Sequence, residues 1–179
     1  MLYYSMGKYT LAFIAVQCPY IDIARDILVK QALDKKSDYI MFLDDDQTYP
    51  PNTPEILMKH IDDGKLIVGG VTPIRCSGKP MIWDYKEELG KPVAMWDTAE
   101  GMTDVKKASG MGMGGVMIDL SVFQTLSPPY FKISGDSREY MRYGEDIIFY
   151  LKCKDVGIDV WCDTNLRYGH LDIREIRTE

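Results

Sequence analysis

The segment Tyr39-Ile40-Met41-Phe42-Leu43, followed at once by Asp44-Asp45-Asp46, constrains the fold more than any other stretch of the chain. Its apolar run, Ile40 to Leu43, suits a strand buried on both faces of a sheet, whereas three adjacent carboxylates cannot enter such a core without partners for their charge. The acids therefore belong just past the strand's carboxyl end. Ligands bind at that edge of open α/β sheets, and clustered carboxylate oxygens suit hard cations such as Mg²⁺ or Mn²⁺. Acidic clusters are also common in solvated loops, so the rest of the chain must decide between the two readings.

Upstream, Thr10 to Val16 is a second apolar, β-compatible run, stopped at Gln17-Cys18-Pro19. Asp22 can cap a helix with apolar positions Ile23, Ile27, Leu28 and Leu33, ending near Lys35 and Lys36. A right-handed crossover from this helix to the Tyr39 strand points Arg25 at the acidic edge; the alternative is a surface ion pair with Asp22 or Asp26. Downstream, Asn52 or Thr53 caps a short helix with Pro54 in its first turn. That helix buries Leu57, Met58 and Ile61 and leads to a buried strand, Leu66 to Val71. Strand, helix, strand, helix, strand is the pattern of a mostly parallel sheet with covering helices. Arg75 leaves the third strand on the acidic edge as a second cation.

Residues 76 to 109 are less periodic. Met81 to Lys86 and Pro92 to Trp96 read as short antiparallel strands or a hairpin, Asp97 to Asp104 as a polar loop, and Trp83, Tyr85 and Trp96 as sugar-stacking or packing aromatics. The glycine-rich stretch from Ala108 to Asp119 lets the backbone approach a ligand closely, but lacks the Lys-Ser/Thr of a nucleoside-triphosphate loop. Its end, Gly115 to Ile118, enters a strand. Asp119 or Ser121 caps a helix through Val122, Phe123 and Leu126, which Pro128-Pro129 ends. Glu145 and Asp146 fall in the first turn of an apolar helix closed by Gly157, where a carboxylate is fixed and can serve as a base. Ile158 to Cys162 is a final strand, turning at Asp163-Thr164-Asn165 toward Gly169-His170. His60 reads as structural; His170 reads as a possible metal ligand.

Composition removes several classes. With 179 residues and 46% hydrophobic content, the chain fits one domain, 1–179, with a single core. A formal net charge of -6, without a Lys/Arg run, argues against nucleic-acid binding. Cys18, Cys76, Cys153 and Cys162 form no C-x-x-C pair and read as reduced, mostly buried thiols. No stretch has the apolar length of a membrane span, and the first residues lack signal-peptide order. A cytoplasmic protein is the expectation, with room for peripheral membrane association and for a homo-oligomer.

Together, Ile23-Ala24-Arg25-Asp26, the D-x-D run Ile40 to Asp46, Val68-Gly69-Gly70-Val71, Gly112 to Ile118, Gly144-Glu145-Asp146 and Gly169-His170 resemble a glycosyltransferase of the GT-A fold, family 2 type, from about residue 10 to 171. The resemblance implies a Rossmann-like three-layer α/β sandwich and an enzyme moving a sugar, most simply a hexose, from a nucleotide-diphosphate donor to a hydroxyl of a glycan, lipid or protein. It implies Mn²⁺ or Mg²⁺ held by Asp46, His170 and Asp44, and donor contacts from Arg25, Asp44, Asp45 and Arg75. Gly112 and Gly114 would let donor sugar and acceptor approach. Asp146 would deprotonate the acceptor, inverting the anomeric centre, with Glu145 bonding acceptor hydroxyls.

Two features depart from the family. Only Met1 to Lys8 precede the first clear strand, a minimal N-terminus, and the arginine-asparagine pair of the first helix is Arg25-Asp26. The competing readings are a non-catalytic or partner-dependent sugar-nucleotide or glycan-binding module, and a nucleotidyltransferase, whose glycine-rich signature Cys18-Pro19-Tyr20 lacks.

Overall fold

The computed structural model describes residues 2–6, 8–75, 77–94, 104–133 and 143–171. Cys76, Trp96 and residues 97–103 of the expected polar loop lie outside them. A five-stranded sheet forms the centre, in the order β3 (Tyr39–Met41), β10 (Val116–Asp119), β5 (Ile67–Val71), β11 (Val160–Arg167), β8 (Val105–Ala108). Strand β10 pairs antiparallel with both β3 and β5, β11 pairs parallel with β5, and β8 pairs antiparallel with β11. The sheet is therefore mostly antiparallel, which corrects the mostly parallel expectation. The strand-helix-strand succession does align β3 with β5. Insertion of β10 between them, running the opposite way, changes the ladder without changing that alignment.

Alternation along the strands divides the core into two faces, as the two-residue period requires. Ile67, Val71, Val116 and Ile118 face one cluster with Phe42, Phe123, Phe131 and Phe149; Val68 and Met117 face another with Leu57, Met58 and Ile61. Helix α1 (Ile21–Asp34), the short α3 (Ser121–Thr125) and α4 (Glu145–Asp155) cover the first face, and α2 (Thr53–Asp62) covers the second. Phe149 and Phe131 stack at 4.8 Å, and Phe42 meets Phe131 edge-on at 5.5 Å, so aromatic packing ties α4 to the strand that carries the acids. A second sheet joins β6 (Ile82–Lys86) to β7 (Lys91–Ala94) and to β9 (Gly110–Met111), realising the expected hairpin.

Several local expectations change, among them the Asp22 cap: α1 begins at Ile21 with Tyr20 at its N-cap, and Asp22 lies in the first turn. Thr10 to Val16 does not enter the central sheet: β2 (Tyr9–Phe13) pairs only with β1 (Leu2–Met6), and Phe13 is 61% exposed. Strand β3 is consequently an edge strand, half-buried rather than covered on both faces. Helix α1 buries Ala24, Arg25, Val29 and Ala32, whereas Ile23 and Ile27 face outward, because the inward turn of Arg25 sets the rotation of the helix. Finally, Asp163 to Asn165 continue β11 to Arg167, with an irregular register, instead of turning.

This topology selects one edge. The carboxyl ends of β3, β5 and β11, the amino end of β10, and the N-termini of α1 and α4 all reach it. No described helix is long and apolar enough to cross a membrane.

Candidate active site

Asp44, Asp45 and Asp46 leave β3 in a turn that ends in the two-residue strand β4 (Gln47–Thr48). The three acids take three environments. Asp45 is exposed at the turn. Asp44 turns inward, where Arg25 Nη2 donates to its Oδ1 at 3.2 Å and Gln47 Nε2 to its Oδ2 at 3.3 Å. Its backbone N–H donates to the Tyr49 hydroxyl at 2.9 Å, and that hydroxyl donates to Gln47 Oε1 at 3.0 Å. Burial pushes the Tyr49 phenol up to about 12, so it stays a neutral donor.

Arg25 is only 5% exposed, and its Nε donates to Glu145 Oε1 at 3.1 Å. One guanidinium thus bridges the acid after β3 and the acid that opens α4, while stacking on Phe42 at 5.4 Å. The surface ion pair with Asp22 or Asp26 does not form. Asp26 instead accepts the Tyr130 and Phe131 backbone N–H groups at 2.9 and 3.0 Å, which turns this carboxylate away from the acids.

Asp46 belongs to a separate cluster. Strand β12 (Gly169–His170) pairs antiparallel with β4, setting His170 opposite Gln47, and the Leu171 N–H donates to the Asp46 carbonyl at 2.7 Å. His170 Nδ1 lies 2.9 Å from the Pro73 carbonyl, which can only accept, so Nδ1 carries the proton and Nε2 keeps its lone pair. That Nε2 lies 3.5 Å from Asp46 Oδ2. Arg75 spans both: its Nε donates to His170 Nε2 at 3.0 Å and its Nη2 to Asp46 Oδ2. Among the described residues no three His, Cys, Asp or Glu side chains gather as a ready metal cage.

Asp146 sits one residue past Glu145 at the start of α4. Its Oδ1 accepts its neighbour Ile147's N–H at 2.7 Å, and a Cβ on Gly144 would lie 2.7 Å from the same oxygen. Burial, reinforced by the Glu145 carboxylate, pushes the Asp146 carboxyl up to about 6. A carboxylate poised there accepts a proton near neutral pH far better than an ordinary surface aspartate.

The glycine-rich stretch lies beneath this edge. Gly112 and Gly114 are buried; a Cβ on Gly114 would stand 2.7 Å from Asp44 Oδ2, and one on Gly112 3.0 Å from Met81 Sδ. Gly115 has φ +78 and presses on Tyr168, whose hydroxyl donates to the Gly115 carbonyl at 2.7 Å and accepts the Gly70 N–H at 3.0 Å. Sequence reasoning missed Gln47, Tyr49 and Tyr168, which fix the acids and the glycine turn. Their signal was only adjacency: Gln47 and Tyr49 follow the triplet, and Tyr168 precedes Gly169-His170. His60 is structural as expected, with Nε2 2.9 Å from Asp163 Oδ2.

The described residues thus bring Arg25, Asp44 and Glu145 into one network and Asp46, Arg75 and His170 into another. Solved structures share this architecture, two of them as follows. A197 from STIV superposes with a TM-score of 0.60 at 14% identity, covering 91% of this chain and 82% of that one. The second, GalNAc-T7 crystallised with UDP, GalNAc and Mn²⁺, superposes with a TM-score of 0.58 at 18% identity. That match covers 87% of this chain but only 31% of the GalNAc-T7 chain. At these identities the likeness concerns the fold, which is GT-A. No curated protein matches the sequence. The sequence profile described as glycosyl transferase family 2 matches residues 22–125, more than half of the chain, and the chain therefore belongs to glycosyl transferase family 2.

Proposed function

We propose that the chain is a metal-dependent, inverting glycosyltransferase, moving a hexose from a nucleotide-diphosphate sugar to a hydroxyl acceptor. One observation carries the reading: Asp46 Oδ2 and the unprotonated His170 Nε2 converge 3.5 Å apart at the sheet edge where Asp146 also lies. A carboxylate oxygen and an imidazole lone pair fit Mn²⁺ or Mg²⁺, and an incomplete protein shell leaves positions for diphosphate oxygens and water. Asp46 and His170 would hold the ion, which supplies Lewis-acid stabilisation of the departing diphosphate. Asp44, neutralised by Arg25 and held by Gln47, would accept donor hydroxyls; exposed Asp45 would face the donor from the turn. Buried Gly112 and Gly114 would shape the floor of this site.

Asp146 takes the proton of the acceptor hydroxyl as that oxygen bonds the anomeric carbon. The bond to the diphosphate oxygen breaks on the opposite face, which inverts the centre. Glu145, oriented by Arg25, holds the acceptor. The site residues run from 25 to 170, which supports one catalytic domain, and the free thiols Cys18, Cys153 and Cys162 suit a reducing, cytoplasmic setting.

Calorimetry of UDP, GDP and their sugar conjugates, with Mn²⁺ and then with EDTA, tests the reading. Manganese-dependent binding of one nucleotide, lost in Asp46→Ala, supports it; no nucleotide binding in either condition overturns it. Asp146→Asn should retain that binding and lose turnover.

A further inference from the structure

Arg75 is bonded to the two atoms that the proposed function assigns to a cation. Its Nε donates to His170 Nε2 at 3.0 Å and its Nη2 to Asp46 Oδ2, so one guanidinium takes the single lone pair of the imidazole and one acceptor position of the carboxylate. A divalent ion coordinates oxygen and nitrogen ligands at about 2.0 to 2.2 Å, and a lone pair directed at such an ion cannot also accept an N–H bond. Guanidinium and metal are therefore mutually exclusive at His170 Nε2, which has a single lone pair, and they compete for the Asp46 carboxylate beside it. We propose that Arg75 is a resident counter-cation: it neutralises Asp46 and occupies the His170 lone pair before metal arrives, and is displaced by the metal.

The surroundings permit that exchange. The ligands are fixed independently of Arg75, because Pro73 holds the His170 ring through Nδ1, and β4–β12 pairing and the Leu171 N–H hold the Asp46 backbone. Arg75 itself is 52% exposed and leaves β5 in a turn closed by the Gly78 N–H to the Ile74 carbonyl at 3.0 Å and the Ile74 N–H to the Lys79 carbonyl at 2.7 Å. Rotation of its long side chain needs no change in that turn. The displaced guanidinium remains tethered beside the ion, where its fork matches phosphate oxygens. Arg75 thus opposes metal binding to the free protein and favours the diphosphate once the metal is bound.

The proposal rests on the metal reading of Asp46 and His170, and the test separates the two. Mn²⁺ binding alone is measured by electron paramagnetic resonance of free Mn²⁺ for wild type, Arg75→Gln, Arg75→Lys and Asp46→Ala, each checked for folding by circular dichroism. Inorganic pyrophosphate is then titrated into Mn²⁺-saturated wild type, Arg75→Gln and Arg75→Lys. An exposed charge-assisted contact translates into about threefold to tenfold tighter Mn²⁺ binding in Arg75→Gln. Pyrophosphate binding should weaken by a similar factor. Arg75→Lys keeps the charge but cannot span both atoms, so it should also bind Mn²⁺ more tightly than wild type. If Mn²⁺ binds wild type, is lost in Asp46→Ala, and is equal or weaker in Arg75→Gln, the displacement is overturned while the metal site stands. If Arg75→Lys matches wild type while Arg75→Gln tightens, distant charge rather than displacement acts, and the proposal also fails. Absence of Mn²⁺ binding in every protein overturns both readings.

Discussion

Replacing Asp146 by Asn gives a pH-dependent stability that isolates the burial of this carboxyl. Moving its titration from the ordinary 3.8 to about 6 favours the neutral form by about 3 kcal/mol as an upper bound, since each pH unit is worth about 1.4 kcal/mol. The folded state holds the proton more tightly than the unfolded state. This group's contribution is therefore fully present below about 4, is lost as pH rises, and is gone above about 6. With an unfolded value of about 3.9, about half of the change, roughly 1.4 kcal/mol, falls between pH 5 and pH 8. Asparagine has a similar shape and no charge to desolvate. Urea denaturation of wild type and Asp146→Asn at pH 5 and pH 8 should show the variant gaining about 1 to 1.5 kcal/mol relative to wild type at the higher pH. A difference that stays constant, or that moves in wild type's favour at pH 8, refutes the reasoning. The same titration should make wild-type kcat/KM fall below about pH 6 as Asp146, the proposed base, becomes protonated.

Arg25→Met leaves Asp44 and Glu145 facing each other's charge without their shared cation and should cost about 3 kcal/mol in urea denaturation; a loss under 1 kcal/mol would mean the bridge is not formed in solution. Gly114→Ala places a methyl 2.7 Å from Asp44 Oδ2 and should lower stability by about 1 to 3 kcal/mol, read by thermal melting, and weaken donor binding by calorimetry. Phe13→Ser, in the exposed β2, should change stability by less than about 0.5 kcal/mol, whereas Phe149→Ala should cost about 3 to 5 kcal/mol; equal costs would place β2 in the core.

The site was legible where chemistry and chain direction are both written in the residues. Ile40 to Leu43 cannot carry three carboxylates into a core, so Asp44 to Asp46 had to emerge at an edge, and Pro54, Gly157 and the acids of α4 marked helix ends unambiguously. Strand partnership was not legible. Val116 to Ile118 is apolar read in either direction, so nothing local says that β10 runs against β3 and β5. The face of α1 was misread because Ile23 and Ile27 outweigh Arg25 in any hydrophobic count, while the structure buries the arginine for its two carboxylate partners. Thr10 to Phe13 has the composition of a core strand and none of its contacts with the central sheet.

The insertion of β10 between β3 and β5 also fixes when the site can come into being. Arg25 and Glu145 are 120 residues apart, Arg75 and His170 are 95 apart, and Gly70 and Tyr168 are 98 apart. Contacts this distant along the chain form only after the intervening loops have closed, which slows folding. In chain order β3 and β5 both precede β10, so the central ladder cannot be completed until β10 has been made. Asp46 is made well before His170, and a nascent chain that stops short of His170 lacks the complete pair.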